Sequence, residues 1–381
     1  MSTVNTLIKW PGGKAREIKY IENLIPKFNR YIEPFFGGGA MYFYLHPQKA
    51  IINDISNDLT SFYRLAKEQN KLFYTYLCDY DALLNGVLTF CDEQYSIIDN
   101  IYLCAKNNND KAATSSAVNE ICSKMIVKLP KTSFNNLVLN RNDLEKEIVA
   151  NVIDKLNRTI KNEEKAPFCS DDLKENLITG FVSGLYMYFR SVYNDILLCR
   201  KKTPNQEYNI ANFYFIREYC YGSMFRYNGK GEFNIPYGGM SYNRKSFKSK
   251  IDNIFSSETS NRFEGTDIYC KDFEDFFSSV QLQDDDFMFL DPPYDTDFSD
   301  YEGKNFSKND QKRLADSLKK TKAKFVLIIK NTDYIYSLYE NDFNIYSFDK
   351  TYTYNVRSRN ERNVEHLIIT NIQPTASVHA I

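Results

Sequence analysis

Phe289-Leu290-Asp291-Pro292-Pro293-Tyr294 is the stretch whose residue types could do chemistry. An apolar run, Phe287 to Leu290, reads as a buried strand that ends in a carboxylate. Strand ends are where α/β sheets place ligands. The two prolines fix φ and carry no N–H, so no helix claims the carbonyls that follow the strand. A carboxylate, a free carbonyl and an aromatic ring then converge on one small space. That set suits a planar molecule bearing an amino group. The exocyclic nitrogen of adenine is a poor nucleophile, because its lone pair is delocalised into the ring. Two acceptors gripping the amino hydrogens, Asp291 and the Pro292 carbonyl, would favour the pyramidal, reactive form, with Tyr294 stacked on the base. Such stacking is worth roughly 1–3 kcal/mol. A strand followed by a rigid turn explains these six residues more plainly, so the rest of the chain has to decide.

The elements that would position this group lie at both ends of the chain. Near the start, Trp10-Pro11-Gly12-Gly13-Lys14 forms a turn beside the only Trp. A P-loop is excluded, because position 8 is Ile and position 15 is Ala where glycine and a hydroxyl are required. What remains is an exposed backbone with a Lys, suited to clamping an anion. Arg16 to Ile25 reads as a short helix. Tyr31 to Pro34 reads as a strand, Phe36-Gly37-Gly38-Gly39 as a glycine loop, and Ala40 to Leu45 as a helix. This order brings backbone close to a nucleotide-like ligand. Ala50 to Asp54 is a second strand. Asp54 follows Gly37 at close to the spacing of an acidic ribose-binding residue. As a plain N-cap for a helix over 59–67, Asp54 competes with Asn57 and Asp58. Asp267 to Phe273 reads as a strand ending in Asp272, an acceptor for an adenine amino group, and Phe273, a stacking ring.

The middle of the chain differs. Leu144, Ile148, Val149, Val152, Ile153, Leu156 and Ile160 recur at helical spacing. Phe181 to Leu198 is another helix, so 78–202 reads as a mainly helical insertion. Over 219–242, Asn228-Gly229 marks a hairpin turn between β-prone residues. From Arg217 to Lys250 there are seven basic residues and two acidic ones. A β-ribbon with Arg226, Asn228 and Lys230 near its tip can enter a DNA major groove, where Arg pairs bidentate with guanine. Ser307 and Asp310 stand at capping-box spacing before a helix running to Lys320. Phe325 to Ile329 is a buried strand. Tyr346 to Tyr354 and His366 to Thr370 form a closing antiparallel pair around an Arg357-Ser358-Arg359-Asn360 turn, with His366 structural.

Composition narrows the classes. The 381 residues carry 48 basic and 49 acidic side chains, so a nucleic-acid partner needs a local basic surface. The 28 Phe and 29 Tyr are mostly core. The eight Cys form no C-x-x-C and the three His stand far apart, which argues against zinc, a disulfide framework and a His-based triad. No run of about 20 apolar residues marks a membrane span, and no signal peptide is visible, so a cytoplasmic protein is expected.

The motifs K-W-P-G-G-K, E-P-F-F-G-G-G, I-N-D, R-Y-N-G-K-G-E-F-N-I-P-Y-G-G and D-P-P-Y, in this order, resemble the Dam-like (D12 class) DNA adenine N6-methyltransferases over about 7–67 and 213–372. The resemblance implies a Rossmann-like α/β sheet binding S-adenosylmethionine, interrupted by the helical insertion and a β-hairpin target-recognition region. Its domains would be 1–77 with 260–381, 78–202 and 203–259. It places the cofactor at Trp10, Lys14, Phe36, Gly37, Gly39, Asp54 and Asp291, with Asp272 and Phe273 completing the pocket and no metal. The catalytic set is Asp291, Pro292, Pro293 and Tyr294. The partner is double-stranded DNA, read by Tyr221, Met224, Arg226, Asn228, Lys230 and Pro236. A companion restriction endonuclease is left open. Two departures stand out. Gly222 replaces an Asn that would contact or wedge the DNA, which puts a GATC target in doubt, and the insertion is long. Transfer to cytosine N4 or to adenine in RNA needs the same grip on an amine. A DNA-binding protein that has lost catalysis is a rival of another class.

Overall fold

The computed structural model describes residues 6–14, 17–108, 110–294, 300–301, 304–351 and 363–373. The chain forms two compact units, one from residues 1–68 with 257–381 and one from residues 69–256.

The first unit is built on a seven-stranded sheet, ordered β3-β2-β1-β4-β7-β9-β8. Its strands are β1 (Arg30–Glu33), β2 (Ala50–Asn53), β3 (Thr266–Tyr269), β4 (Asp286–Leu290), β7 (Lys324–Lys330), β8 (Asn344–Thr351) and β9 (Asn363–Thr370). A two-residue pair, β5 (Asp300–Tyr301) and β6 (Lys304–Asn305), stands apart from it. Strands β3, β2, β1, β4 and β7 run parallel, and β9 joins β7 antiparallel and pairs in turn with β8. Parallel strands are buried on both faces and read as apolar runs. Every residue of β2 and β4 is buried, as is all of β7 from Phe325 to Ile329. Helices, numbered along the chain, connect the strands: α1 (Ile18–Ile21), α2 (Ala40–Leu45), α3 (Asn57–Lys67), α12 (Ser257–Phe263), α13 (Phe273–Ser279), α14 (Lys308–Leu318) and α15 (Asp333–Tyr339). The strand order reverses between β1 and β4, which opens a crevice beyond their carboxyl ends. Arg30 clamps the opposite ends of this pair, donating from Nε and a terminal nitrogen to Asp286 at 2.9 and 2.7 Å.

The second unit is helical: α4 (Lys71–Glu93), α5 (Tyr95–Asn108), α6 (Lys111–Lys128), α7 (Lys131–Leu137), α8 (Arg141–Glu163), α9 (Ser170–Leu197), α10 (Gln206–Tyr219) and α11 (Phe247–Ile254). Asn70, Asp110, Asn140, Asn205 and Ser246 cap five of these helices through their side chains. Leu144, Ile148, Val152 and Leu156 make the buried stripe of α8.

Several boundaries differ from expectation. The unit boundary falls at 68/69 rather than 77/78, and nothing divides the chain at 202/203. There α10 packs on α4 and α9, so the region holding the hairpin shares their core. The helix expected over 16–25 is the single turn of α1 followed by a 3₁₀ turn, Glu22–Leu24. Strand β3 ends at Tyr269, and Asp272 instead caps α13, accepting from the Glu274 N–H. The expected turn at Arg357-Ser358-Arg359-Asn360 and the strand end at Tyr354 lie outside the described residues. The capping box of Ser307 and Asp310 is present.

The hairpin is reduced to two isolated antiparallel bridges, Cys220 with Tyr237 and Tyr227 with Phe233. Backbone bonds cross it, among them Tyr221 N–H to the Pro236 carbonyl and Asn234 N–H to the Arg226 carbonyl, and α9 bonds it as well. Asn194 of α9 bonds both the N–H and the carbonyl of Phe233, at 2.8 and 3.0 Å, and the Tyr186 hydroxyl donates to the Ile235 carbonyl at 2.9 Å. The turn runs from Asn228 to Gly231, and its left-handed residue is Gly231, not Gly229.

Leu327 is fully buried between the helix layers. Leu327→Ala is expected to destabilise the fold by about 2–5 kcal/mol, measured by urea denaturation against the wild type.

Candidate active site

The glycine loop follows β1 directly. Gly37 and Gly39 both take left-handed φ, +49° and +66°. A Cβ on Gly37 would meet the Trp10 indole at 2.8 Å, and one on Gly39 would meet the Phe36 ring at 2.5 Å. Only glycine fits this tight wrap, which lays Trp10 over the loop. The Gly37 N–H donates to Asp54 Oδ2 at 2.9 Å, and the Tyr63 hydroxyl donates to the Gly37 carbonyl at 3.0 Å. Asp54 Oδ1 accepts from the Ser56 N–H. Ser56, rather than Asp54, Asn57 or Asp58, caps α3. Asp54 is thus held at the strand end by backbone amides. Burial pushes its carboxyl above the ordinary range, and the amides of Ser56 and Gly37 oppose that shift.

Asn53, the residue before it, staples three segments. Its amide donates to the carbonyls of Pro34 and Lys271, and its oxygen accepts from the Lys271 N–H, all at 3.0 Å. The turn after β3 is thereby fixed, and with it Asp272 and Phe273. Arg313 of α14 holds this corner from behind. It bonds Asp272 Oδ1 at 2.7 Å, Glu274 and Asp310 at 2.8 Å, and lies 4.8 Å from the centre of the Phe273 ring.

At the end of β4, Asp291 Oδ2 accepts from Lys14 Nζ at 2.5 Å. Lys14 is 3 % exposed, also donates to the Gly12 carbonyl at 2.9 Å, and lies 5.1 Å from the centre of the Tyr294 ring. Gln311 donates to the Pro293 carbonyl at 3.0 Å. No described residue donates to the Pro292 carbonyl. Tyr294 packs against His366, which is fully buried and stacked on Phe348.

These groups share one cleft of about 150 Å³. Trp10, Lys14, Phe36, Gly37, Gly39, Asp54, Asp272, Phe273, Asp291, Pro292, Pro293 and Tyr294 all line it. So do residues the sequence did not single out, among them Phe35, Phe306 and Glu33. Glu33 closes β1, is 2 % exposed, and accepts from the Tyr31 hydroxyl at 2.7 Å. Burial lifts its carboxyl well above the ordinary glutamate value of 4.5, and the Tyr31 bond opposes this only in part. The signal for Glu33 was there to read: an acid at a strand end, directly before a glycine loop.

The residues expected to read DNA lie in the second unit. Tyr221, 49 % exposed, Arg226, Lys230 and Pro236 are open to solvent, and Met224 is half-buried. Asn228 is turned inward, accepting from the Lys230 and Glu232 N–H groups and donating to the Glu232 carboxylate.

The sequence matches known proteins over most of its length. The family model for D12 class N6 adenine-specific DNA methyltransferase matches residues 10–179 and 182–354. The chain belongs to this family. Among its relatives, the type II methyltransferase M.CviBI of Paramecium bursaria Chlorella virus NC1A is 32% identical over 202 residues, 51% of this chain and 75% of its own. M1.LlaDCHI, a type II methyltransferase of Lactococcus lactis subsp. cremoris, is 24% identical over 95% of this chain and 94% of its own. The type II methyltransferase M.MjaIII of Methanocaldococcus jannaschii is 26% identical over 90% of each. The sheet and its insertion are therefore those of an adenine-specific DNA methyltransferase, an enzyme whose family transfers a methyl group to adenine N6 in DNA.

The raised Glu33 carboxyl has a consequence for stability. The folded protein keeps a proton that the unfolded chain gives up above its ordinary value of 4.5, so stability falls as pH rises from there towards the raised value. Glu33→Gln removes this loss. Its melting temperature relative to wild type should climb as the pH is raised above the ordinary value of 4.5, followed by thermal denaturation.

Proposed function

We propose that this cleft binds S-adenosylmethionine beside a flipped adenine and methylates its N6 within one short double-stranded DNA sequence. The observation that carries this reading is the pairing of Asp291 with the Pro292 carbonyl, to which no described residue donates, at the strand end beside the glycine cradle. The residues fit the cofactor. The backbone of 37–39 comes close without a Cβ, Asp54 offers a carboxylate to sugar hydroxyls, and Trp10, Phe35, Phe36, Phe273 and Phe306 supply flat apolar walls. S-adenosylmethionine supplies an electrophilic methyl group on a sulfonium sulfur.

The protein positions and polarises. The adenine leaves the duplex at a cost of a few kcal/mol. Tyr294 stacks on it. Asp291 and the Pro292 carbonyl each accept one hydrogen of the amino group, which frees the nitrogen lone pair from the ring. Lys14 holds Asp291 by its Oδ2 and so fixes how the carboxylate faces the amine. A new N–C bond forms, the methyl–sulfur bond breaks, and the surplus amine proton passes to solvent. Orientation and fixed dipoles account for the acceleration.

In the second unit, Arg226 is the guanine reader, Lys230 meets phosphate, Tyr221, Met224 and Pro236 face the base pairs, and Asn228 shapes the turn that presents them. Three relatives named as type II methyltransferases support a companion restriction endonuclease and hence a protective role. A cytoplasmic location follows from that role.

Single-molecule sequencing of unmethylated plasmid, after incubation with the protein and S-adenosylmethionine, should show N6-methyladenine in one short motif. Asp291→Ala should show none, and near-normal methylation by that variant would sink the mechanism. Arg226→Ala should relax the guanine position by roughly 1–3 kcal/mol, about 5- to 150-fold, in competition binding. Gly222 stands at φ +61° with the nearest side-chain atom 3.6 Å from a built Cβ. Asn tolerates that conformation, so Gly222→Asn should fold normally and change target preference in the same sequencing assay.

A further inference from the structure

Four carboxylates line the cleft; Asp272 is paired with Arg313, and two others have a place in the reaction set out above. Asp291 faces the amine and is paired with Lys14, and Asp54 is held by the amides of Gly37 and Ser56. Glu33 has no such place. Among the described residues it accepts from the Tyr31 hydroxyl of its own strand and the Tyr42 backbone of α2. The charged groups that face it are Asp291 from the end of β4 and Asp54 from the end of β2, and both are acids. Tyr42 and Tyr63, from α2 and α3, complete its surroundings. Among the described residues no cation bonds it. Of the two lysines that line the cleft, Lys14 lies on Asp291 and Lys271 beside the Tyr269 ring.

A carboxylate buried among other carboxylates is costly as an anion, and it either keeps its proton or waits for a positive ligand. The proposed reaction changes one charge in this cleft. The cofactor enters with a sulfonium cation and leaves as a neutral thioether, while its ammonium and carboxylate ends stay the same.

We propose that Glu33 is a specificity-determining residue that reads this charge, binding the sulfonium form of the cofactor in preference to the thioether product and so speeding product exchange. The inference rests on the methyltransferase reading of the cleft. Glu33 touches no reacting atom in it. When the cation arrives, the carboxyl gives up its proton to solvent and the pair is neutralised across a low-dielectric wall. When the methyl has gone, the carboxyl takes a proton back and the attraction is lost. Binding of the sulfonium form therefore tightens as pH rises, and binding of the thioether does not.

The test is calorimetric titration of the full chain with S-adenosylmethionine, with S-adenosylhomocysteine, and with an analogue carrying an amine in place of the sulfonium. Wild type should bind both cationic ligands about tenfold tighter than the thioether, and Glu33→Gln should shrink that ratio about fivefold while leaving thioether affinity unchanged. An unchanged ratio, or equal weakening of all three ligands as a structural lesion would give, overturns the proposal. Wild type alone supplies a second readout that does not depend on how the variant folds. Titrations in two buffers of different ionisation heat should show more proton release with S-adenosylmethionine than with S-adenosylhomocysteine, and equal release overturns the proposal. Binding of none of the three by wild type would overturn it together with the methyltransferase reading. Normal binding and DNA methylation with an unaltered ratio would overturn the role of Glu33 alone.

Discussion

The parallel pairing of β1 with β4 is the constraint on which the catalytic unit depends. These strands meet in the chain order only after more than two hundred intervening residues. Side by side they set the glycine loop and the D-P-P-Y segment on the same rim. The register, Ile32 against Met288, is fixed at one end by the bidentate Arg30–Asp286 bond and along its length by side chains buried on both faces. A slip of one residue would turn each strand's side chains to the other face. It would also part Lys14 from Asp291, the bond that ties the N-terminal turn to the end of β4.

Around this rim the structure spends its polar groups on position. Asn53 joins the loops after β1 and β3, Arg313 braces Asp272 and Phe273, and Gln311 occupies the Pro293 carbonyl but leaves that of Pro292 open. Asn53 lines the cleft and the other two stand behind its lining, yet each decides where a wall of it stands. Buried polar groups that are fully satisfied make a site rigid. The acids are held differently: Asp54 by backbone amides, Asp291 by Lys14, and Glu33 by the Tyr31 hydroxyl with two other acids facing it.

The second unit solves a separate problem. Its hairpin is too short to stand as a sheet, because an isolated two-stranded ribbon is marginal in water. Asn194, Tyr186 and Arg190 of α9 take up its inward carbonyls and amides, and Phe225, Phe233 and Ile235 bury against the helices. The long helical segment thus provides the base on which the basic turn is mounted.

Motif residues and local periodicity were legible in the sequence by themselves. The strand ending at Leu290, the glycine loop, the helical stripe of α8 and the capping box before α14 each rest on contacts within a few residues, and such patterns survive in one dimension. The fold brings the residues singled out at the strand ends and the glycine loop to one cleft. Tertiary structure alone decided the rest. Ser56 rather than Asp54 caps α3, because Asp54 is drawn to the Gly37 amide of another strand's loop. The strand expected to reach Phe273 stops at Tyr269, because Asn53 turns the chain there and Asp272 begins a helix. The hairpin is held down by side chains of α9, and Glu33 faces Asp54 and Asp291 from the ends of other strands. In each case the deciding partner is distant in the chain, so its pull is set by the packed sheet and helices and leaves no mark on local spacing.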